Sequence, residues 1–392
     1  MQKRYRIIYV TIGMELIIKG GTVVKEISLV EEKNEDESIS NDELFNISSW
    51  GADLSFREII MMYDEGELLK PELQRNYVWT KLEASRFIDS ILLGLPVPSI
   101  FFAKVEDEKK LIIDGYQRIM TVYDFVKGVF SGNNQSFKLS NSEAINKRWR
   151  NKTFVELTED EQIRIRATTI HAIIFEQKQP RNDSGMYQIF ERINTGGKTL
   201  KSQEIRNCIY QGDMNSILIE LNKEEIWRKI LQNDKLDSRM LDIELILRFF
   251  SISHLYSNTP DTHTINLTNY LNWYMSDKKK MNEGQIKKLT QIFIDTMNLV
   301  FEIFNDLSFR KPTNINRKIK VNPVIFDAVS VATLRVIENK LELASKEAIL
   351  DRYGKLFLDE EFIDMISKRT TNIDNIIGRI NKVYVDVYGG KI

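Results

Sequence analysis

The stretch Leu111–Met120, "LIIDGYQRIM", decides how the front half of this chain is read. Leu111, Ile112 and Ile113 form an apolar, β-favouring run into Asp114. Gly115 then permits a tight turn, and Ile119, Val122, Val126 and Val129 fall at helical spacing. A strand, a glycine turn and a helix from Gly115 to about Val129 are predicted in direct succession. Just upstream, "SIFFAKV" and "KLIIDG" flank the turn "EDEK", which predicts a β-hairpin.

Further out, helix starts are marked by capping boxes. Ser55 with Glu58, Thr80 with Glu83 and Thr158 with Glu161 each place a hydroxyl three residues before a carboxylate. Gly94 stops the second of these helices, and "LPVP" forbids its continuation. "TTIHAIIFEQ" reads as a buried strand, which makes His171 a core histidine rather than a metal ligand. "SGMYQIFERIN" is helical again. From Lys201 onward helical periodicity dominates and strand signals nearly vanish, apart from the ambiguous "KVYVDVY" near the end. The expected fold class is therefore α+β, a mixed α/β core followed by a mainly α-helical C-terminal half. Residues 1–44, with the acidic run "EEKNEDESISNDE", read as a leader or linker. Residues 45–200 form the α/β domain, and 201–392 a helical domain packed on it.

The bulk composition excludes several classes. With 55 basic and 56 acidic residues the net charge is −1, so DNA contact must be local rather than global. One cysteine, Cys208, excludes a disulfide framework and a Cys-rich zinc site. His171, His254 and His263 are the only histidines and show no metal-ligand spacing. The apolar stretch Ile7–Ile18 contains Glu15 and is shorter than the roughly 20 residues needed to span a bilayer. A cytoplasmic protein without a membrane segment is expected.

Three stretches could carry chemistry. In "KPELQRNYVWT", Gln74 and Arg75 stand among Leu73, Tyr77 and Trp79. Two readings stand: an arginine pre-organised on aromatic faces for a phosphate or carboxylate, and a structural arginine paired with a carboxylate. In "LIIDGYQRIM", Asp114 with Gln117 has capping-box spacing. The same turn also aims backbone N–H groups at one point, where Arg118 adds charge and Asp114 could hold Mg²⁺ or orient water. The third stretch, "ERINTGGKTL", is not a Walker A loop. The position five before Gly197 is Arg192, and a helix precedes it instead of a strand. Gly196 or Gly197 ends that helix and Ser202 caps the next, or Asn194, Thr195, Gly196, Gly197 and Lys198 form an anion-binding nest.

Taken in order, "PELQRNYVW", "IDSILLGLPVPSIFF", "IIDGYQR" and "IFERINTGGKTLKSQEIRN" resemble the N-terminal domain of GmrSD-type modification-dependent restriction systems. "RMLDIELILRFF", "FR" (Phe309, Arg310) and "NPVIFDAVSVA" resemble later segments of the same family. The resemblance implies a ParB/sulfiredoxin-like core and an Asp-Gly-Gln-Gln-Arg signature. It also implies binding and hydrolysis of a nucleoside triphosphate with Mg²⁺, in bacterial defence against phage DNA, often modified. It assigns Asp114, Gln117 and Arg118 to catalysis, with Asp114 as the Mg²⁺ ligand. Gln74, Arg75, Gly115, Tyr116, Asn194, Thr195, Gly196, Gly197 and Lys198 fall to the phosphates, with Glu204 and Asn207 in support. Tyr116 replaces the first glutamine of the signature. No HNH nuclease domain is recognisable, so a separate nuclease subunit is the expected partner beside nucleotide and DNA. The alternatives are a non-catalytic nucleotide- or DNA-binding regulator and, ranked below it, a metal-dependent DNA endonuclease.

Overall fold

The computed structural model describes residues 46–69, 79–105, 108–179, 184–193, 200–237, 239–260, 265–312 and 320–391. The apolar stretch Ile7–Ile18 and the acidic run lie outside them.

A five-stranded mixed sheet organises the front half. Strands β1 (Asn46–Ser55), β2 (Leu68–Leu69), β3 (Ile100–Lys104), β4 (Lys110–Asp114) and β7 (Thr169–Gln179) align in the order β1-β7-β3-β4-β2. The expected hairpin is present: Phe102 pairs with Ile112 and Lys104 with Lys110 in an antiparallel ladder. β7 runs parallel to β3 and antiparallel to β1, while β2 joins β4 in parallel over two residues. A short hairpin of β5 (Val129–Phe130) and β6 (Gln135–Ser136) lies apart from this sheet.

Helices α1 (Phe56–Asp64), α2 (Lys81–Leu93), α3 (Tyr116–Lys127) and α4 (Glu159–Ala167) bury their apolar faces with one side of the sheet. Phe56, Ile88, Ile119 and Ile165 meet Ile100, Phe102, Ile112 and Ile174 in one core cluster. All three capping boxes form, at Ser55, Thr80 and Thr158, and Gly94 ends α2 with φ 78°. Removing such an oxygen leaves a helix N–H without its partner. Thr80→Ala is expected to lower stability by about 1 kcal/mol, read from the shift of the urea unfolding midpoint. No shift would show that water satisfies the α2 start equally well.

The alternating side chains of β3 and β4 face a second core. Ala103, Leu111 and Ile113 join Met186, Tyr187 and Phe190 of α5 (Ser184–Ile193), and beyond them the helical half. That half comprises α6 (Ser202–Ile209), α7 (Asp213–Leu221), α8 (Glu225–Leu231), α9 (Leu241–Ser257), α10 (Leu267–Asp277) and α11 (Glu283–Phe304). It continues with α12 (Pro323–Glu338), α13 (Lys346–Leu356), α14 (Glu360–Ser367) and α15 (Ile373–Lys382). The ambiguous "KVYVDVY" contributes a π-helical turn, Val383–Val387, in which Val383, Tyr384 and Val387 are buried. A strand there would have needed an open sheet edge beside it.

Three charged residues hold the middle of the helical half. Asp327 on α12 is fully buried and accepts from Arg248 of α9 (Nε to Oδ1 3.0 Å, Nη2 to Oδ2 2.5 Å). Arg379 of α15 donates to the same Oδ2 at 3.0 Å. Among the described residues, no helix is long and apolar enough to cross a membrane.

Candidate functional site

At the end of β4 the backbone reverses at Gly115, whose φ of 98° is open to glycine but costly for other residues. Space imposes the same choice, because a Cβ here would lie 2.3 Å from Ile100 Cγ2. α3 starts directly from this turn with no side-chain hydrogen bond at its N-cap. The capping box expected from Asp114 and Gln117 does not form. The Asp114 carboxylate turns instead to Arg118, one helical turn on, and the two form an ion pair through Nη2 and Oδ2.

Arg118 is tied down on a second side. Its Nη1 donates to the carbonyls of Pro98 (2.7 Å) and Ser99 (2.8 Å) in the segment leading into β3. The guanidinium thus joins the loop before β3 to the end of β4, and its side chain is only 14% exposed. The Asp114 side chain, at 46%, remains open to solvent. Arg118 therefore acts first by fixing the position of Asp114.

Gln117 accepts a hydrogen bond through Oε1 from the backbone N–H of Trp79 at 3.3 Å. Trp79 closes the motif that contains Gln74 and Arg75, and Leu69 before that motif pairs with Leu111 on β4. Both flanks of the first motif therefore border the β4–α3 unit. Gln74 and Arg75 themselves, and Asn194, Thr195, Gly196, Gly197 and Lys198, lie outside the described residues. Tyr116 is 3% exposed and belongs to the first core cluster, so its ring packs inward.

The described remainder of the third motif serves α6. Lys201, not Ser202, is the N-cap, and Glu204 Oε2 accepts from its N–H at 2.6 Å. Glu204 also meets Arg239 Nη2 at 3.3 Å. Asn207 is fully buried, and among the described residues neither atom of its amide has a hydrogen-bond partner. Ile205 and Cys208 on either side of these residues pack in the second core cluster, across the sheet from Tyr116. The sequence reading passed over Arg206, which is 1% exposed and bonds Asn272, Gln203 and Glu244. Its spacing of three from Gln203 was the available signal.

Among the described residues, no three His, Cys, Asp or Glu side chains are grouped to hold a metal ion. Asp114 Oδ1 has no hydrogen bond there, and one carboxylate is the protein share typical of Mg²⁺ carried in with phosphates. A cleft of about 560 Å³ lies elsewhere. Lys104, Leu111, Glu176 and Phe190 line it, roughly 10 Å along β4 from Asp114 at the usual strand rise. The turn's own geometry is the better guide to the chemistry, because it gathers a carboxylate, an arginine and a helix start.

His171 departs from its expected place. It points outward from β7, half exposed, with Nδ1 2.7 Å from Asp53 Oδ1 on β1. The strand alternates instead of burying both faces, so its odd positions leave the first core.

No curated protein and no solved structure matches the chain. The family model of the GmrSD restriction endonuclease N-terminal domain does match, over residues 56–211. That span holds α1 to α6, the Asp114–Arg118 turn and both cores' contacts with the sheet. Over residues 56–211 this chain is similar to the GmrSD restriction endonuclease N-terminal domain family.

Proposed function

We propose that residues 56–211 form the nucleotide-binding part of a restriction system acting on DNA, with the phosphates docked at the β4–α3 turn. One observation carries this reading: α3 begins at Gly115 without a side-chain cap, beside the half-exposed Asp114 held by Arg118. A helix start presents backbone N–H groups and the positive end of the helix dipole, which suits a phosphate. Arg75, in the segment between Leu69 and Trp79, would add a second cation. Asp114 would hold Mg²⁺ through its unpaired oxygen, and the metal would neutralise phosphate charge. This reading extends to a ParB-like mode of nucleotide use, hydrolysis included, with cleavage of modified phage DNA left to a separate nuclease subunit.

Binding without turnover is the second reading. It is favoured by Arg118, whose three acceptors leave it a positioning role, and by the inward packing of Tyr116.

Thermal shift and phosphate release with a panel of nucleoside triphosphates test both. At 100 times Kd a ligand stabilises by about 2.7 kcal/mol, so binding gives a readable shift. Asp114→Ala is expected to remove the Mg²⁺-dependent part of that shift, and Arg75→Ala to weaken binding about tenfold. Phosphate release lost in Asp114→Ala supports hydrolysis, and a shift without release supports the second reading. No shift with any nucleotide would overturn both.

A further inference from the structure

The helical half holds a cleft of its own, about 280 Å³, walled by α9, α10, α11 and α12. Phe249 and Phe250 of α9, Leu289 and Ile292 of α11 and Leu334 of α12 make it apolar. Phe249, Phe250 and Leu334 belong to the second core cluster, so the cleft cuts down to the core instead of lying on the surface. Its volume falls just below the roughly 300–1,000 Å³ of drug-sized ligand sites, which suits a molecule of one or two rings.

The polar groups that line the cleft are mostly donors without acceptors. Tyr274 is 3% exposed, yet its hydroxyl has no hydrogen-bond partner among the described residues. Burial pushes its ionisation up, so it keeps the proton it could donate. A buried hydroxyl left unpaired is costly and calls for a partner. His254 Nδ1 lies 2.8 Å from Tyr270 Oη. Tyr270 also keeps its proton, with burial raising its ionisation to about 12, and has no other acceptor among the described residues. Its hydroxyl therefore donates to Nδ1, which leaves the imidazole N–H of His254 on Nε2. Lys288 forms no ion pair among the described residues, whereas Lys278 is paired with Asp277 at 2.8 Å. Three donors from α9, α10 and α11 thus border one apolar cleft, and Glu338 of α12 is its one negative charge. Such a set matches an apolar ring bearing a single acceptor head.

We infer that this cleft binds a small aromatic monocarboxylate. The ring packs against Phe249 and Phe250, and the carboxylate takes Lys288 with the Tyr274 hydroxyl and His254 Nε2. Glu338 works against a second negative charge, so phosphates are disfavoured here. The site lies outside residues 56–211 and stands whether or not the proposed nucleotide site binds a nucleotide.

Isothermal titration calorimetry of the full chain with indole-3-acetate as the probe tests it. Lys288→Met is expected to weaken binding about tenfold, for loss of a charge-assisted hydrogen bond. Tyr274→Phe should weaken it about threefold or more while leaving the thermal midpoint unchanged or higher, because the hydroxyl has no partner in the free protein. A tyrosine with only a structural role would move the midpoint and not the affinity. Ser253→Phe, which fills the cleft, should abolish binding in a protein whose melt shows it folded. No saturable heat at millimolar probe, or affinity unchanged in both Lys288→Met and Tyr274→Phe, would overturn the inference. Tryptamine or tryptophan binding as tightly as indole-3-acetate would do the same, since the cleft would then not select a monocarboxylate.

Discussion

Asp327→Ala is expected to lower stability by about 3–5 kcal/mol, the largest single effect in the molecule. Asp327 is fully excluded from solvent and accepts from both Arg248 and Arg379. Removing it leaves two guanidinium groups buried without their shared anion, and α9, α12 and α15 lose the group that ties them. The urea unfolding midpoint measures this. A triple replacement, Arg248→Met/Asp327→Leu/Arg379→Met, separates charge from packing. Apolar side chains of similar size often replace a buried ion group with little loss. Recovery of most of the stability in the triple variant would assign the cost to unpaired charge. An Asp327→Ala protein within 1 kcal/mol of wild type would refute that account. The triad also gives "RMLDIELILRFF" and "NPVIFDAVSVA" a physical role: they bring Arg248 and Asp327 to one buried point.

Gly115→Ala has the second largest expected effect, roughly 2–4 kcal/mol. About 1–2 kcal/mol arises from a left-handed backbone bearing a Cβ. The remainder comes from overpacking, since that Cβ falls 2.3 Å from Ile100 Cγ2. Relief has a direction as well as a size. Ile100→Ala alone should destabilise by opening the core, yet the double variant should be less impaired than the two single effects added together. Additive losses measured in the same urea experiment would place the strain in the backbone alone. The turn also sets the start of α3, so under the proposed function Gly115→Ala should weaken nucleotide binding beyond its stability cost. Comparing binding at a temperature where both proteins are folded distinguishes the two.

Much of the site's frame was legible because it is local. Ser55, Thr80 and Thr158 act on N–H groups three residues away, a distance that sequence spacing encodes directly. Gly94 and Gly115 mark backbone reversals that other residues resist, and both show positive φ. β1 escaped notice for the opposite reason. "NISSWGADLS" is polar and mostly solvent-facing, and it becomes a strand only because β7, more than a hundred residues later, supplies its ladder. His171 shows the same limit, since an apolar run does not reveal which of its residues face outward. Asp114 and Arg118 were legible as a pair of functional types. The acceptors that immobilise Arg118 were not, because Pro98 and Ser99 reach it only once β3 and β4 have paired.

The sequence by itself determined the starts of α1, α2 and α4, that a strand meets a helix at Gly115, and a resemblance to the GmrSD N-terminal domain that the family match over 56–211 supports. Only the tertiary structure decided how the charged side chains are used. It ties Arg118 to Asp114 and two carbonyls, and gathers Arg248 and Arg379 on Asp327. The physical reason is range. Capping, turns and periodicity act within one or two turns of chain, whereas a buried charge is matched by whichever opposite charge or carbonyl packing brings within about 3 Å.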